Sequence, residues 1–515
     1  MRFLFYSIFL ISFTLINAQG FKVRHSIPNA SNNCPRAFFE INPGSYLGAG
    51  FAIDTSSGQS INQIVIVGLG SQGQLQWTKK HKGHKMEYLN NGFIQRCFYK
   101  KDNFLYYAGC ATDTAGAQIG VFIKFNLNGD TIWQKICRDS VSIDLIPQMV
   151  TSSVDGGFLM TGFFQDLVNH TQQGLILKTD ANGNELWRRK INKLAPNVQD
   201  GKAILQDSAS KKIVIVGYQY LNSAANYDNI LILDSLGNKL TQKHFTNFGG
   251  NAYDLLQTAD KKFVMVGNQM YSQTTGGYNC QRSYAIKFDV DTPQNPLWKI
   301  DGFDKLGLYN GFTCAIELKN GNLLLGGYLD TLQGVCNGPN NQPGNLLPRL
   351  TMINKNGAII WNRYYNYKTN SVLEDNGQVI HSLNICQDGC WLGSIETQNF
   401  PGTNPMLFVK YDSTGCDSSL AYCSSKYYVG LHEQGPINQK FEVYPNPFKD
   451  VLKLESDNPE ELEYLLKDIF GKEILKGKVA KFISIDVSYL KGGMYLLSIT
   501  KDKEVIYTTK IIKED

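Results

Sequence analysis

Residues 178–190 read KTDANGNELWRRK, and the stretch returns in altered form along most of the chain. GSQGQLQW ends at Trp77, NLNGDTIW at Trp133, DANGNELW at Trp187 and DSLGNKLT at Thr241. DTPQNPLW ends at Trp298, NKNGAIIW at Trp361 and DSTGCDSS at Ser419. The copies lie 54–63 residues apart, a period that belongs to solenoids, propellers and arrays. Asp180 to Gly183 separates two β-like runs, and Asn-Gly chemistry at such a place makes a tight hairpin turn. Trp187 then opens a further strand and is expected to pack between units. A calcium loop would need more oxygen ligands than one Asp and one Asn per turn.

A second element precedes each turn: KDNFLYYAG at 101–109, DGGFLMTG at 155–162, KKIVIVG at 211–217, KKFVMVG at 261–267 and NGNLLLGG at 320–327. Each is a polar turn followed by an apolar run ending in Gly. Runs such as CAIEL come before it and runs such as QGLILKTD after it, so a unit holds four short strands with no sustained helical period. Four strands per repeat describe a propeller blade, and neighbouring blades bury what one blade leaves open. The expected fold is all-β: a seven-bladed β-propeller over 35–423, a linker at 424–440 and a small Ig-like β-sandwich at 441–515. The N-terminal run FKVRHSI, within a segment 19–34, is expected to add an edge strand to the last blade, whose own fourth strand is weak.

The turn repeat resembles quinoprotein-like propellers, although their Thr-Gly pair after the Asp is missing. It departs from the sialidase-type Asp box, in which Gly stands three residues before Trp rather than four. Thr241 and Ser419 in place of Trp fit packing better than a cofactor stack.

Composition agrees with an exported β-protein. Charged residues make up 18% and aromatic ones 12%, which favours strands over long helices. The net charge of +5 is spread thinly, so no basic tract invites nucleic acid. The start, MRFLFYSIFLISFTLINAQG, has a positive n-region at Arg2, a short apolar core and a small residue at Ala18. It reads as a signal peptide over 1–18 with Gln19 first in the mature chain. Eleven cysteines in an exported chain point to some disulfides. Cys386 and Cys390 flank a tight turn, Cys280 and Cys336 lie in neighbouring long loops, and Cys314 reads as a buried thiol. None has zinc-site spacing.

The tail is the most specific signal. Tyr444-Pro445-Asn446-Pro447-Phe448 opens it; Asp468, Gly471 and Lys472 form a D..GK turn; Leu490, Gly493 and Tyr495 form L..G.Y; and Lys510 begins the basic–apolar end KIIK. In that order they resemble the C-terminal sorting domain of type IX secretion cargo from Bacteroidota-type bacteria. The resemblance implies export through the periplasm, recognition by the type IX machinery, removal of the tail, and release or attachment to surface lipopolysaccharide.

No catalytic motif accompanies it. His81 and His84 form HxxH in a Lys-rich stretch and read as a solvated loop. His170, His244 and His381 fall in different units, Asp289 and Asp291 sit at a turn, and no nucleophile elbow, HExxH or P-loop occurs. No cofactor or metal is expected. The connections between second and third strands are long and unequal, and long varied loops on a rigid ring are where binding is placed. They carry Tyr218, Tyr220, Tyr227, Tyr271 and Tyr278 among Asn, Gln and Ser, which suits sugars or protein surfaces. The expected function is a secreted or cell-surface binding or adhesion propeller for a glycan or protein. The alternative is a propeller enzyme acting on polysaccharide.

Overall fold

A computed structural model describes residues 20–56, 61–81, 87–88, 96–112, 118–137, 143–166, 171–191, 199–220, 226–245, 249–272, 279–301, 310–330, 346–367, 377–398, 404–417, 441–456, 462–468, 473–479, 481–501 and 504–514. The signal-peptide, Gly471–Lys472 turn, Tyr278, His84, His170, Cys336, Ser419 and 424–440 linker readings lie outside these residues.

Every described element is a strand. The apolar runs within Ile213–Tyr220, Phe263–Ser272 and Leu323–Asp330 are buried, as expected of strands covered on both faces. They are the second strands of antiparallel sheets whose innermost members are Ala30–Asn42, Phe98–Lys101, Ile143–Ser152, Gln199–Gln206, Gly249–Gln257, Asn310–Glu317 and Gly377–Ile385. Each inner strand packs on the inner strands of both neighbouring sheets, and the first packs on the seventh. Seven blades therefore close a ring. One parallel bridge, Leu346 to Gly377, joins the sixth and seventh sheets.

The ring is closed by the chain's own beginning. Phe21–His25 pairs antiparallel with Met406–Tyr411, Phe21 opposite Lys410, and becomes the outer strand of the seventh blade. In the second, third and fifth blades the Trp of the repeat holds that position, opposite Lys124, Lys178 and Lys287. Phe21 thus stands where Trp stands elsewhere.

The opening repeat is a seam device. Asp180 Oδ1 accepts from the N–H groups of Asn182 (2.9 Å) and Asn184 (2.8 Å), and its Oδ2 accepts from Asn184 Nδ2 (2.9 Å). Asp234 and Asn238 repeat this arrangement. These hydrogen bonds lower the Asp180 pKa. Gly183, at φ +77°, lies beneath Trp133 of the preceding blade; a Cβ there would fall 2.6 Å from the indole. Trp77 covers Gly129, Trp187 covers Gly237 and Trp298 covers Gly357 in the same way, while Phe21 and Val23 cover Gly73. Thr241 covers no such turn glycine: the next turn, DTPQNP, has none. Donors reinforce the seams. His25 Nε2 and His81 Nε2 lie 3.0 and 2.8 Å from the carbonyls of Gly73 and Gly129. His81 is thus a half-buried seam residue beside Phe125, not part of a solvated loop.

Cys386 and Cys390 do not form the expected bridge; both are buried thiols. The Cys386 N–H donates to Cys390 O across the turn (2.8 Å). Hydrogen-bonded pairs hold their side chains farther apart than the alternative pair type. Cys314 is a buried thiol as expected, and burial raises its pKa.

The C-terminal unit is a separate sandwich. Phe441–Tyr444, Val451–Ser456 and Phe482–Asp486 form one sheet; Glu473–Lys478, Leu462–Asp468, Gly493–Lys501 and Glu504–Lys513 form the other. Phe448, Leu452, Leu466, Leu497, Ile499 and Ile511 fill the core between them.

Candidate binding site

Two parts of the ring concentrate polar groups. The first is the end carrying the second-to-third-strand connections of the fifth and sixth blades, where the sequence places a ligand. Tyr220 ends its strand opposite Asn226, Tyr227 pairs with Gln219, and Tyr271 pairs with Cys280. All three backbones thus stand at the loop ends of their strands. Near the strand ends that lead into the fifth and sixth connections lies a buried network that no sequence motif announced. Asn268 Nδ2 donates to Gln281 Oε1 (2.6 Å) and Tyr328 OH (3.0 Å), and Tyr328 OH donates to Gln281 (2.9 Å). Arg349 Nη1 donates to Ser283 Oγ (3.2 Å), and its guanidinium lies 4.9 Å from the Phe312 ring centre.

The second concentration is at the axis. Halfway along six inner strands the pairing with the second strand skips one residue: Arg36, Gln148, Lys202, Tyr253, Thr313 and His381. Arg96 has the corresponding place in the second blade, just before Cys97, whose carbonyl accepts from the Ala108 N–H (2.9 Å). A bulge re-aims the extra residue out of the alternation that buries its neighbours. Repeated around the ring at one level, it builds a polar collar.

The collar is internally bonded. Arg36 Nη1 and His381 Nε2 both reach Glu396 Oε2 at 2.7 Å. Burial, helped by the Arg36 charge, pushes the His381 imidazole down to about 4 despite the carboxylate. Burial alone would raise the Glu396 carboxyl; Arg36 and His381 instead hold it well below the usual range. Lys202 Nζ donates to Gln148 Oε1 (2.9 Å). The single Thr313 hydroxyl proton is shared between the carbonyls of Gly326 and Ile380, both within hydrogen-bond reach. Arg96 Nη2 donates to Asp254 Oδ2 (2.7 Å) in the fifth blade and to the Ala315 carbonyl (3.2 Å) in the sixth. Burial raises the Asp254 pKa, opposed by Arg96 and by the Ala315 N–H. The axial carboxylates Asp254 and Glu396 are each neutralised by an arginine. Among the described residues, no three His, Cys, Asp or Glu side chains converge as a metal site.

In the sandwich, residues from opposite ends of the tail meet. Asn446 Oδ1 accepts from the Ile512 N–H (2.9 Å), the Phe448 N–H donates to Ile512 O (2.8 Å), and the Glu514 N–H donates to Phe448 O (2.8 Å). The peptides before Pro445 and Pro447 are cis. Asp468 pairs with Tyr495, whose hydroxyl donates to Lys491 O (2.8 Å); Tyr444 lies partly exposed on its strand; Leu490 packs on the core; Gly493 begins the strand that pairs Leu496 with Lys510.

Residues 442–514 match the family described as the secretion system C-terminal sorting domain. No curated protein matches the chain in sequence. Among solved structures, it is similar to a polysaccharide lyase described as an ulvan lyase: TM-score 0.43, 9% identity, 78% of this chain and 98% of that one. A protein of unknown function from Dyadobacter fermentans gives 0.41, 10%, 76% and 97%. The β-propeller domain of the trilobed protease from Pyrococcus furiosus gives 0.33, 9%, 73% and 91%. The chain is a seven-bladed β-propeller whose C-terminal residues form a type IX secretion sorting domain.

Proposed function

We propose that this type IX cargo is an extracellular binding or adhesion propeller whose ligand, a glycan or a protein, docks on the long-loop face of the fourth, fifth and sixth blades. The observation that carries the reading is the Asn268–Gln281–Tyr328 network near the strand ends that lead into the fifth and sixth of those loops. Buried amides and phenols bonded to one another hold a single geometry. A rigid base lowers the ordering cost of any loop that grips a ligand. Tyr220, Tyr227, Tyr271 and Tyr278 are the proposed contacts, and a Cys280–Cys336 bridge would brace the two loops. We further propose that export starts with the signal peptide over 1–18. The tail would then be removed within 424–440, and the propeller released or attached to lipopolysaccharide.

The test is a glycan and surface-extract binding screen on the exported protein. It is repeated with residues 331–345 shortened and with Tyr271→Ala plus Tyr278→Ala. Loss of a captured ligand in both variants supports the face. Unchanged affinity in both removes the site from it, and turnover of a polysaccharide in the same screen replaces binding with the enzymatic alternative.

A further inference from the structure

We propose that residues 26–29 are a strap that lifts from the seam between the first and seventh blades, opening that seam from its long-loop end while the ring stays closed elsewhere. The strap leaves the closing strand Phe21–His25 and crosses to Ala30, where the inner strand of the first blade begins. Few bonds hold it on the first blade. Lys80 Nζ donates to Pro28 O (2.6 Å), and Asn29 O accepts from the Thr55 N–H (3.0 Å) and hydroxyl (3.2 Å). Ile27 anchors it, buried in the cluster that also holds Ala52, Val65 and Met406.

The long-loop end of this seam carries polar groups that burial leaves unsatisfied. Asn33 and Gln63 are fully buried, and all four of their side-chain oxygen and nitrogen atoms are without a hydrogen-bond partner. Both stand beside Ala52. Gln63 pairs with it from the third strand, and Asn33 shares with Asn32 the bulge opposite it on the inner strand. Gln63 alternates with Val65 and Val67, which pack in the seam with Met406 and Phe408, so it faces the seventh blade. A buried amide whose hydrogen bonds are unmade opposes the closed state. Lifting the strap returns these groups to water, so this opening costs less free energy than the same movement at a seam filled by apolar side chains. The other end of the seam is closed differently. Phe21, Phe38, Tyr46 and Phe408 pack ring against ring, with centroids 4.9–6.3 Å apart. Phe21 pairs with Lys410 and His25 with Met406, which sets Phe21 toward the tight-turn end and the strap at the long-loop end. The aromatic end is the hinge, and the amide end opens.

Hydrogen–deuterium exchange of the full-length protein, read by mass spectrometry, tests this. It compares residues 30–34 with residues 310–314, which open the inner strands of the first and sixth blades. Residues 30–34 are expected to exchange about 10-fold faster or more. Gln63→Met keeps the length of the side chain and removes its polar atoms; it should slow that exchange by about 10-fold. Ile27→Ala loosens the strap and should speed the exchange, with residues 310–314 unchanged in both variants. The proposal is overturned if residues 30–34 exchange no faster than 310–314, or if Gln63→Met fails to slow them. It is also overturned if Ile27→Ala leaves their rate unaltered or speeds both segments alike, which is the mark of global unfolding.

Discussion

Arg96 of the second blade and Asp254 of the fifth are 158 residues apart and meet at 2.7 Å across the ring. Two blades separate them on one side and three on the other, so the bridge spans the axis and ties together sheets that share no edge. The Ala315 N–H brings the sixth blade to the same carboxylate. Removing the carboxylate therefore loosens three blades at once. Asp254→Ala should destabilise the propeller by about 3–5 kcal/mol, the range for breaking a buried, hydrogen-bonded ion pair from one side. Urea unfolding measures it, and a loss below about 0.5 kcal/mol would show that the bridge is incidental.

The seventh–first seam should be sensitive to acid. His381 is neutral when folded, with a pKa pushed down to about 4 from 6.5. Between those values the unfolded chain binds more protons than the folded one. Stability is then fully present above about pH 6.5 and is lost as pH falls toward 4. The depressed Glu396 carboxyl acts in the same direction below 4.5, its ordinary value. The urea midpoint should drop between pH 7 and pH 5, and His381→Gln should flatten that part of the curve. An identical pH profile for variant and parent would exclude His381 as the titrating group.

The repeated Trp should matter only where it has a glycine to cover. Trp133→Ala opens the seam over Gly183 and should cost about 2–4 kcal/mol. Gly183→Ala combines a left-handed φ with a Cβ set against the indole and should cost about 1–3 kcal/mol. Thr241→Ala, at an exposed position, should stay within about 0.5 kcal/mol. Equal losses at Trp133 and Thr241 would contradict the seam account.

Ring closure by Phe21–His25 can be tested by truncation. A chain starting at residue 29 loses the buried Phe21 and Ile27 and exposes the edge of Met406–Tyr411. It should be less stable by about 3–5 kcal/mol, and a peptide FKVRHSI added in trans should restore part of the loss. Full stability without the strand would mean that the ring closes by other means.

Export should depend on the contact between the two ends of the tail. Asn446→Ala removes the acceptor for the Ile512 N–H, and about 1–2 kcal/mol of sandwich stability with it. Deleting residues 510–515 removes the whole pairing. Secreted yield should fall in that order, read by blotting medium against periplasm. Intact mass of the secreted form should place its ends near Gln19 and within 424–440; a secreted chain that retains IIKED would rule out tail removal.

Turn chemistry is local, which is why the architecture was legible in the residues alone. Asp180, Gly183 and Trp187 recur with their spacing in most units because those blades share the same hairpin and the same cover for a neighbour. The tail motifs were legible for a similar reason: each marks a turn or strand end at a set distance from the C-terminus. Even the closing strand could be read, since the last blade's own fourth strand is weak and the N-terminal run FKVRHSI is strand-like.

The collar was not legible. Arg36, Gln148, Lys202, Tyr253, Thr313 and His381 share no residue type, and a bulge arises from the register between two strands rather than from either strand's own pattern. His381 meets Glu396 only because the seventh blade's first two strands pair at that offset, and Arg36 joins them only because the ring closes. Arg96 and Asp254 have no sequence relationship at all. Local hydrogen bonding and apolar periodicity determined the blades. Which charges face one another on the axis was decided by closing seven of them into a ring, where burial makes each unpaired charge too costly to leave without a partner.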